Sequence, residues 1–142
     1  YEKRRDELAE FCSQAKVDFV MGDYDQENWK NKIRGLELEP ERGARCLACI
    51  THRLLVTALL CRERNLNTFT TTLGSSRWKN KKQIDKAGYD IQSQMPDVIY
   101  WDQDWRKEGL IQRRSELVRE IDFYNQQYCG CEYSVFPPFE SF

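Results

Sequence analysis

The sequence predicts an α/β domain built on a mostly parallel sheet. Three observations lead there. Apolar residues recur at helical spacing along much of the chain, β-branched or aromatic runs at 69–73 and 98–101 interrupt them, and the segment between those runs is long enough for a helical crossover. A chain of 142 residues is one domain, 1–142, with enough length to bury a core. Its 22 lysines and arginines face 23 acids, so no global basic field is available and any nucleic-acid contact must come from a local patch. No uninterrupted apolar run of about 18 residues marks a membrane span, and no secretory core is present. Six cysteines in a charged, helical sequence of this length do not resemble a small stapled secreted domain, so a reducing, cytoplasmic setting is expected.

Leu8, Phe11, Cys12 and Ala15 make the first 15 or so residues an amphipathic helix. Val17 to Met21 is a short apolar run that predicts a strand, and Gly22-Asp23-Tyr24-Asp25 turns the chain. Asp25 can cap a second short helix carrying Trp29 and Ile33, ended by Gly35. Pro40 and Gly43 mark a loop, after which Leu47, Ile50, Leu54, Ala58 and Cys61 trace a helix to about Arg64. Phe69 to Leu73 is the next strand, Gly74 to Lys79 a loop at its carboxyl end, and Lys81 to Gln92 a polar helix. Val98 to Trp101 is a further strand, and Leu110, Leu117, Val118 and Ile121 define the last helix. Tyr128 to Cys131 is a tight turn, and the tail with Pro137 and Pro138 is expected to be extended.

The chemistry concentrates in two cysteine pairs. Cys46 and Cys49 form a C-x-x-C and Cys129 and Cys131 a C-x-C, and the 79 residues between the pairs leave room for the fold to join them. Four thiolates at one point suit zinc or an iron–sulfur cluster. The first pair opens a helix, whose N-terminal dipole favours thiolate, and Gly130 allows the bend a C-x-C needs. A structural four-cysteine zinc site is the plainer reading. The C-x-C departs from the usual zinc-ribbon pair, which shifts weight toward iron and sulfur. Cys12 and Cys61 sit on apolar stripes and read as core residues, and His52 as hydrogen-bonded rather than ligating.

In parallel α/β sheets ligands bind beyond the carboxyl ends of strands. Thr71, Ser75, Ser76, Arg77, Trp78 and Lys79 occupy such an end, and their hydroxyls, cations and stacking face suit a nucleotide, although an ordinary capped loop has the same composition. Asp23 and Asp25 follow the first predicted strand and could give a proton or an oxygen ligand, with loop capping the expected role of at least one. Trp101 and Trp105 could stack RNA bases, and packing on a neighbouring helix is the plainer role.

In order along the chain, Asp23-Tyr24-Asp25 with Trp29, Glu39-Pro40-Glu41-Arg42-Gly43, Arg45-Cys46 with Cys49, Phe69 to Leu73, Ser75 to Lys79, Tyr100-Trp101 and Tyr128-Cys129-Gly130-Cys131 resemble the epoxyqueuosine reductases of the QueH family. The resemblance implies a Rossmann-like nucleotide-binding fold. It also implies reduction of epoxyqueuosine to queuosine at the tRNA wobble position, dependent on iron–sulfur chemistry and independent of cobalamin. Its implied cofactors are an iron–sulfur cluster, of the 4Fe-4S kind, and an additional iron, with Cys46, Cys49, Cys129 and Cys131 as ligands. The implied partners are tRNA carrying epoxyqueuosine and an electron donor, with no membrane. Family members begin with a strand, an adjacent cysteine pair and a further cysteine. The sequence shows none of these before its first helix, so it is expected to be N-terminally incomplete, without its first βα unit. The rival readings are a non-catalytic zinc-stabilised RNA-binding module and an adenylating or sulfur-transferring enzyme of the related nucleotide-binding superfamily.

Overall fold

The computed structural model describes residues 1–134. The expected extended tail at Pro137 and Pro138 lies outside the described residues. Five α-helices, α1 (Glu2–Ala15), α2 (Gln26–Ile33), α3 (Ala44–Glu63), α4 (Lys81–Gln94) and α5 (Leu110–Ile121), accompany two short strands, β1 (Thr68–Phe69) and β2 (Ile99–Tyr100). The strands pair in parallel, Thr68 with Ile99 and Phe69 with Tyr100, and α4 forms the crossover between them. The architecture is therefore α/β, mostly helical, with a small parallel sheet.

The core lies where α3, α4 and the two strands meet. Ile50, Leu54, Ala58 and Cys61 on α3 pack with Ile84, Ala87 and Ile91 on α4 and with Phe69, Val98 and Tyr100. The spacing along α3 is the 3.6-residue period that keeps one stripe facing inward. Full burial of each large aliphatic side chain contributes about 1.5–3 kcal/mol. By length and composition α3 could cross a membrane, its best window having a mean hydropathy of 1.5. Its inward stripe packs on α4, as the core helix of a globular domain does. Cys61 is buried as expected, whereas α1 buries no residue and Cys12 is only half-buried.

Local signals account for the helix boundaries. The Asp25 carboxylate accepts the Asn28 N–H at 2.9 Å and caps α2, and Asn80 accepts the Lys82 N–H at 3.0 Å to cap α4. Gly35, with φ of 82°, turns the chain just after α2.

Two strand expectations need correction. Val17 to Met21 forms no strand, and Val17, Val20 and Met21 are exposed. A β-branched run becomes a strand only where a neighbouring ladder takes its N–H and C=O groups, and none lies beside it among the described residues. The second run is strand only at Thr68–Phe69. Beyond it the threonine hydroxyls replace the ladder: Thr70 Oγ1 donates to the Trp101 carbonyl at 2.8 Å, and Thr71 Oγ1 accepts the Leu73 N–H at 3.2 Å. A 3-10 turn at Leu73–Ser75 then ends the run.

One close contact sets the distance between α4 and β2. A Cβ at Gly88 would stand 2.4 Å from the Tyr100 ring, which is itself buried. The Tyr100 hydroxyl meets Asp85 Oδ1 at 3.1 Å; burial pushes the phenol well above its ordinary range, and the Asp85 contact adds to the shift. Gly88→Ala gains up to about 1 kcal/mol of helix propensity and loses about 1–3 kcal/mol to overpacking against a ring that has no room to retreat. A lower urea midpoint with unchanged slope is the expected result.

Candidate nucleotide and thiol site

The Glu39 to Cys49 segment builds the start of α3. Glu39 Oε2 accepts the Ala44 N–H at 3.2 Å, placing a carboxylate at the positive end of the helix. A Cβ at Gly43 would stand 2.8 Å from that same oxygen and 3.0 Å from the Pro40 carbonyl, so the position has no space for a side chain. Arg42 adopts a left-handed conformation, φ 64°, and its backbone N–H donates to Cys46 Sγ at 3.2 Å. Trp29 on α2 donates its indole N–H to Cys49 Sγ, also at 3.2 Å. Each sulfur of the C-x-x-C therefore accepts a fixed N–H.

Arg45, between these features, is 2 % exposed. Its Nη1 donates to the Glu37 and Glu39 carbonyls at 2.7 and 2.6 Å, its Nη2 to Ser134 Oγ at 3.3 Å, and its guanidinium lies over the Tyr133 ring. This buried cation ties the loop before α3 to the turn that follows Cys131. No carboxylate pairs with it among the described residues, and its Nε is buried without a partner.

The second thiol pair is held by the 75–79 loop. Lys79, 9 % exposed, directs Nζ at Cys129 Sγ, 3.0 Å away, and has no carboxylate partner among the described residues. Arg77 donates to Gln127 Oε1 at 3.0 Å, and Arg42 donates to the Arg77 carbonyl at 2.8 Å, joining the two cysteine neighbourhoods through one arginine. Gly130, φ 86°, makes the expected bend between Cys129 and Cys131. All six cysteines are free thiols. Among the described residues no three of the His, Cys, Asp and Glu side chains stand close enough to share one metal ion.

Ser75, Ser76, Arg77, Trp78 and Lys79 line a cavity of about 650 Å³, and Cys129 lines it too. Thr71 is not part of that wall: its carbonyl accepts the Trp105 indole N–H at 2.7 Å. Both serine hydroxyls are engaged inside the loop, Ser75 with the Thr72 carbonyl and Ser76 with the Trp78 N–H. Trp105 lines the cavity, while Trp101 packs edge-on against it, 5.8 Å between ring centres. Asp25 is occupied as the α2 cap, and Asp23 lies in a separate depression with Tyr1 and Arg5.

Arg4, Arg53, Arg106 and Arg114 complete the cavity wall and were not singled out by sequence reasoning. They come from four separate segments, so no motif announces them. The one local signal is that Arg53 and Arg114 have no acidic residue three or four positions away on their own helices, where a surface arginine commonly finds one.

Thiols surrounded by N–H donors and cations are the donor chemistry a thiolate-held metal centre uses, but among the described residues no three of these thiols come to one point. Two buried cations have no carboxylate partner among the described residues: Lys79, which donates to Cys129 Sγ, and Arg45, whose Nε is orphaned and whose guanidinium bonds backbone carbonyls and Ser134. N–H donors to sulfur are the outer contacts that orient such ligands.

The family model described as epoxyqueuosine reductase QueH matches residues 1–136. The chain is 41 % identical over 132 residues to the epoxyqueuosine reductase QueH of Acinetobacter baylyi, covering 93 % of this chain and 61 % of that protein. It is 42 % identical over 132 residues to the QueH of Haemophilus influenzae, covering 93 % and 54 %. With the QueH of Thermotoga maritima it shares 31 % identity over 138 residues, covering 95 % and 71 %. The chain thus spans between about half and two thirds of the first two relatives. By the match to nearly its whole length, this chain belongs to the QueH family of epoxyqueuosine reductases.

Proposed function

We propose that the chain carries the nucleotide and thiol site of a reductase that converts epoxyqueuosine to queuosine in tRNA, with an iron–sulfur cluster of the 4Fe-4S kind, an additional iron and no cobalamin. One observation carries this reading beyond the family name. Cys129 lines the same cavity as the Ser75 to Lys79 loop, so a thiol that would hold metal borders the space that would hold a nucleotide.

Turning an epoxide into an alkene consumes two electrons and two protons and releases the oxygen as water. A cluster held by Cys46, Cys49, Cys129 and Cys131 would supply the electrons one at a time, and an iron would supply Lewis acidity. The chain's own residues do the rest. Trp78 offers a face for the base, with the Arg77 guanidinium 4.8 Å from the ring centre. Arg77, Lys79 and Arg106 bring positive charge to the phosphates. Trp29, the Arg42 backbone and Lys79 hold three of the sulfurs in place. Of the two carboxylates expected to give a proton, Asp25 caps α2 and Asp23 stands in a separate depression, so neither lines the nucleotide cavity and the proton donor is left unassigned. A low-potential electron donor and a cytoplasmic tRNA are the partners this reading requires.

The test is an anaerobic incubation of the iron-loaded chain with tRNA bearing epoxyqueuosine and a chemical reductant, without cobalamin, followed by nucleoside mass spectrometry. Conversion to the nucleoside one oxygen lighter is expected. Unchanged epoxyqueuosine with fully loaded protein would contradict the reading.

A further inference from the structure

The cavity beside Cys129 has a charge pattern that the nucleotide loop alone does not explain. Six of the chain's 22 lysines and arginines line it, and among the described residues no acid does, in a chain of net charge −1. Three of the six are committed. Arg77 bonds to Gln127, Lys79 to Cys129, and Arg106 donates to the Ser76 and Lys79 carbonyls, holding the loop. The other three, Arg4 on α1, Arg53 on α3 and Arg114 on α5, are exposed at the rim. Among the described residues none of them makes an ion pair or a side-chain hydrogen bond.

Their sequence neighbours behave differently. Arg5, next to Arg4, pairs with Asp6 at 2.7 Å, and Arg113, next to Arg114, pairs with Glu116 and Glu120 at 3.2 and 3.3 Å. Arg4 and Arg114 thus lack the ion pair that the adjacent arginine makes, and Arg53 makes none among the described residues. Like charges gathered round one opening repel each other, and an anionic ligand relieves that repulsion. The chemistry of the wall narrows the ligand class. Trp78, Trp105, Tyr124 and Tyr128 add aromatic surface to the cations, the combination that binds single-stranded nucleic acid by backbone charge and base stacking.

We propose that Arg4, Arg53 and Arg114 form a phosphate-binding rim that grips the RNA backbone on either side of the nucleotide held by the 75–79 loop. This rests on the RNA-substrate reading and extends it to three helices outside the family motifs. Because the contacts are to phosphate, they position the strand without reading its sequence.

The experiment is fluorescence anisotropy of a labelled, unmodified anticodon stem–loop RNA across a salt series. It compares the unaltered chain, Arg4→Gln/Arg53→Gln/Arg114→Gln, the three single variants, and Arg113→Gln/Arg119→Gln as a control outside the cavity. Each phosphate contact to a single strand contributes about 0.7 to the slope of log affinity against log salt. The triple variant should flatten that slope by about 2 and weaken binding about 100-fold at 0.1 M salt. Each single variant should flatten it by about 0.7, so the proposal stays testable if the triple variant does not fold. The control should match the unaltered chain. If the unaltered chain binds and the rim variants keep its slope, the rim is wrong and the RNA reading stands. If the unaltered chain does not bind RNA even at low salt, both fail.

Discussion

Cys129→Ala is expected to lower turnover of epoxyqueuosine tRNA by more than about 100-fold and also to destabilise the fold by about 2 kcal/mol. The two effects have separate causes. Turnover falls because the chain loses one of four proposed ligands, the one that borders the nucleotide cavity. Stability falls because Lys79, 9 % exposed, loses the sulfur to which its Nζ donates, leaving a buried ammonium with nothing to bond. Lys79→Met added to Cys129→Ala should therefore restore most of the stability and none of the turnover. Urea midpoints and single-turnover rates on the same proteins separate the two effects. Unchanged stability in Cys129→Ala alone would show that the Lys79 contact contributes nothing.

The second large effect is expected at Arg45→Leu. The guanidinium is 2 % exposed and satisfies two backbone carbonyls, at Glu37 and Glu39, while reaching Ser134 beyond the C-x-C. Leucine leaves both half-buried carbonyls without this donor, a loss of about 2–3 kcal/mol. The loss has a location as well as a size. Hydrogen exchange should rise in the loop before α3 and in the 132–134 turn, while the α3–α4 core keeps its protection. Uniform loss of protection across α3 and α4 would instead mean that Arg45 supports the whole fold rather than the junction of the two thiol segments.

Much of the helical frame was legible in the sequence because periodicity and caps agree there. The stripe of Ile50, Leu54, Ala58 and Cys61 has a single sensible reading, and Asp25 and Gly35 bracket α2 as a cap and a left-handed stop. The strands were less legible. Val17 to Met21 has strand composition, but pairing depends on a neighbour that composition does not contain. Phe69 to Leu73 has the same composition, and its threonine hydroxyls turn the backbone out of the ladder after Phe69.

The site divides the same way. Local pieces such as the Gly43 start of α3, the bend at Gly130 and the 75–79 loop could be read as segments. What joins them could not, because the connections run through long-range contacts: Arg42 to Arg77, Lys79 to Cys129, and Arg45 to Ser134. The rim arginines belong to the same class. Arg4, Arg53 and Arg114 are ordinary surface residues on three helices until the fold sets them round one cavity.

The most direct test of the central claim is the iron, acid-labile sulfide and zinc content of the anaerobically purified chain beside Cys129→Ala/Cys131→Ala. A thiolate-held iron–sulfur centre predicts brown protein with iron and sulfide in the unaltered chain and neither in the variant. Stoichiometric zinc without iron or sulfide in the unaltered chain would contradict it, and would leave a zinc-stabilised RNA-binding module.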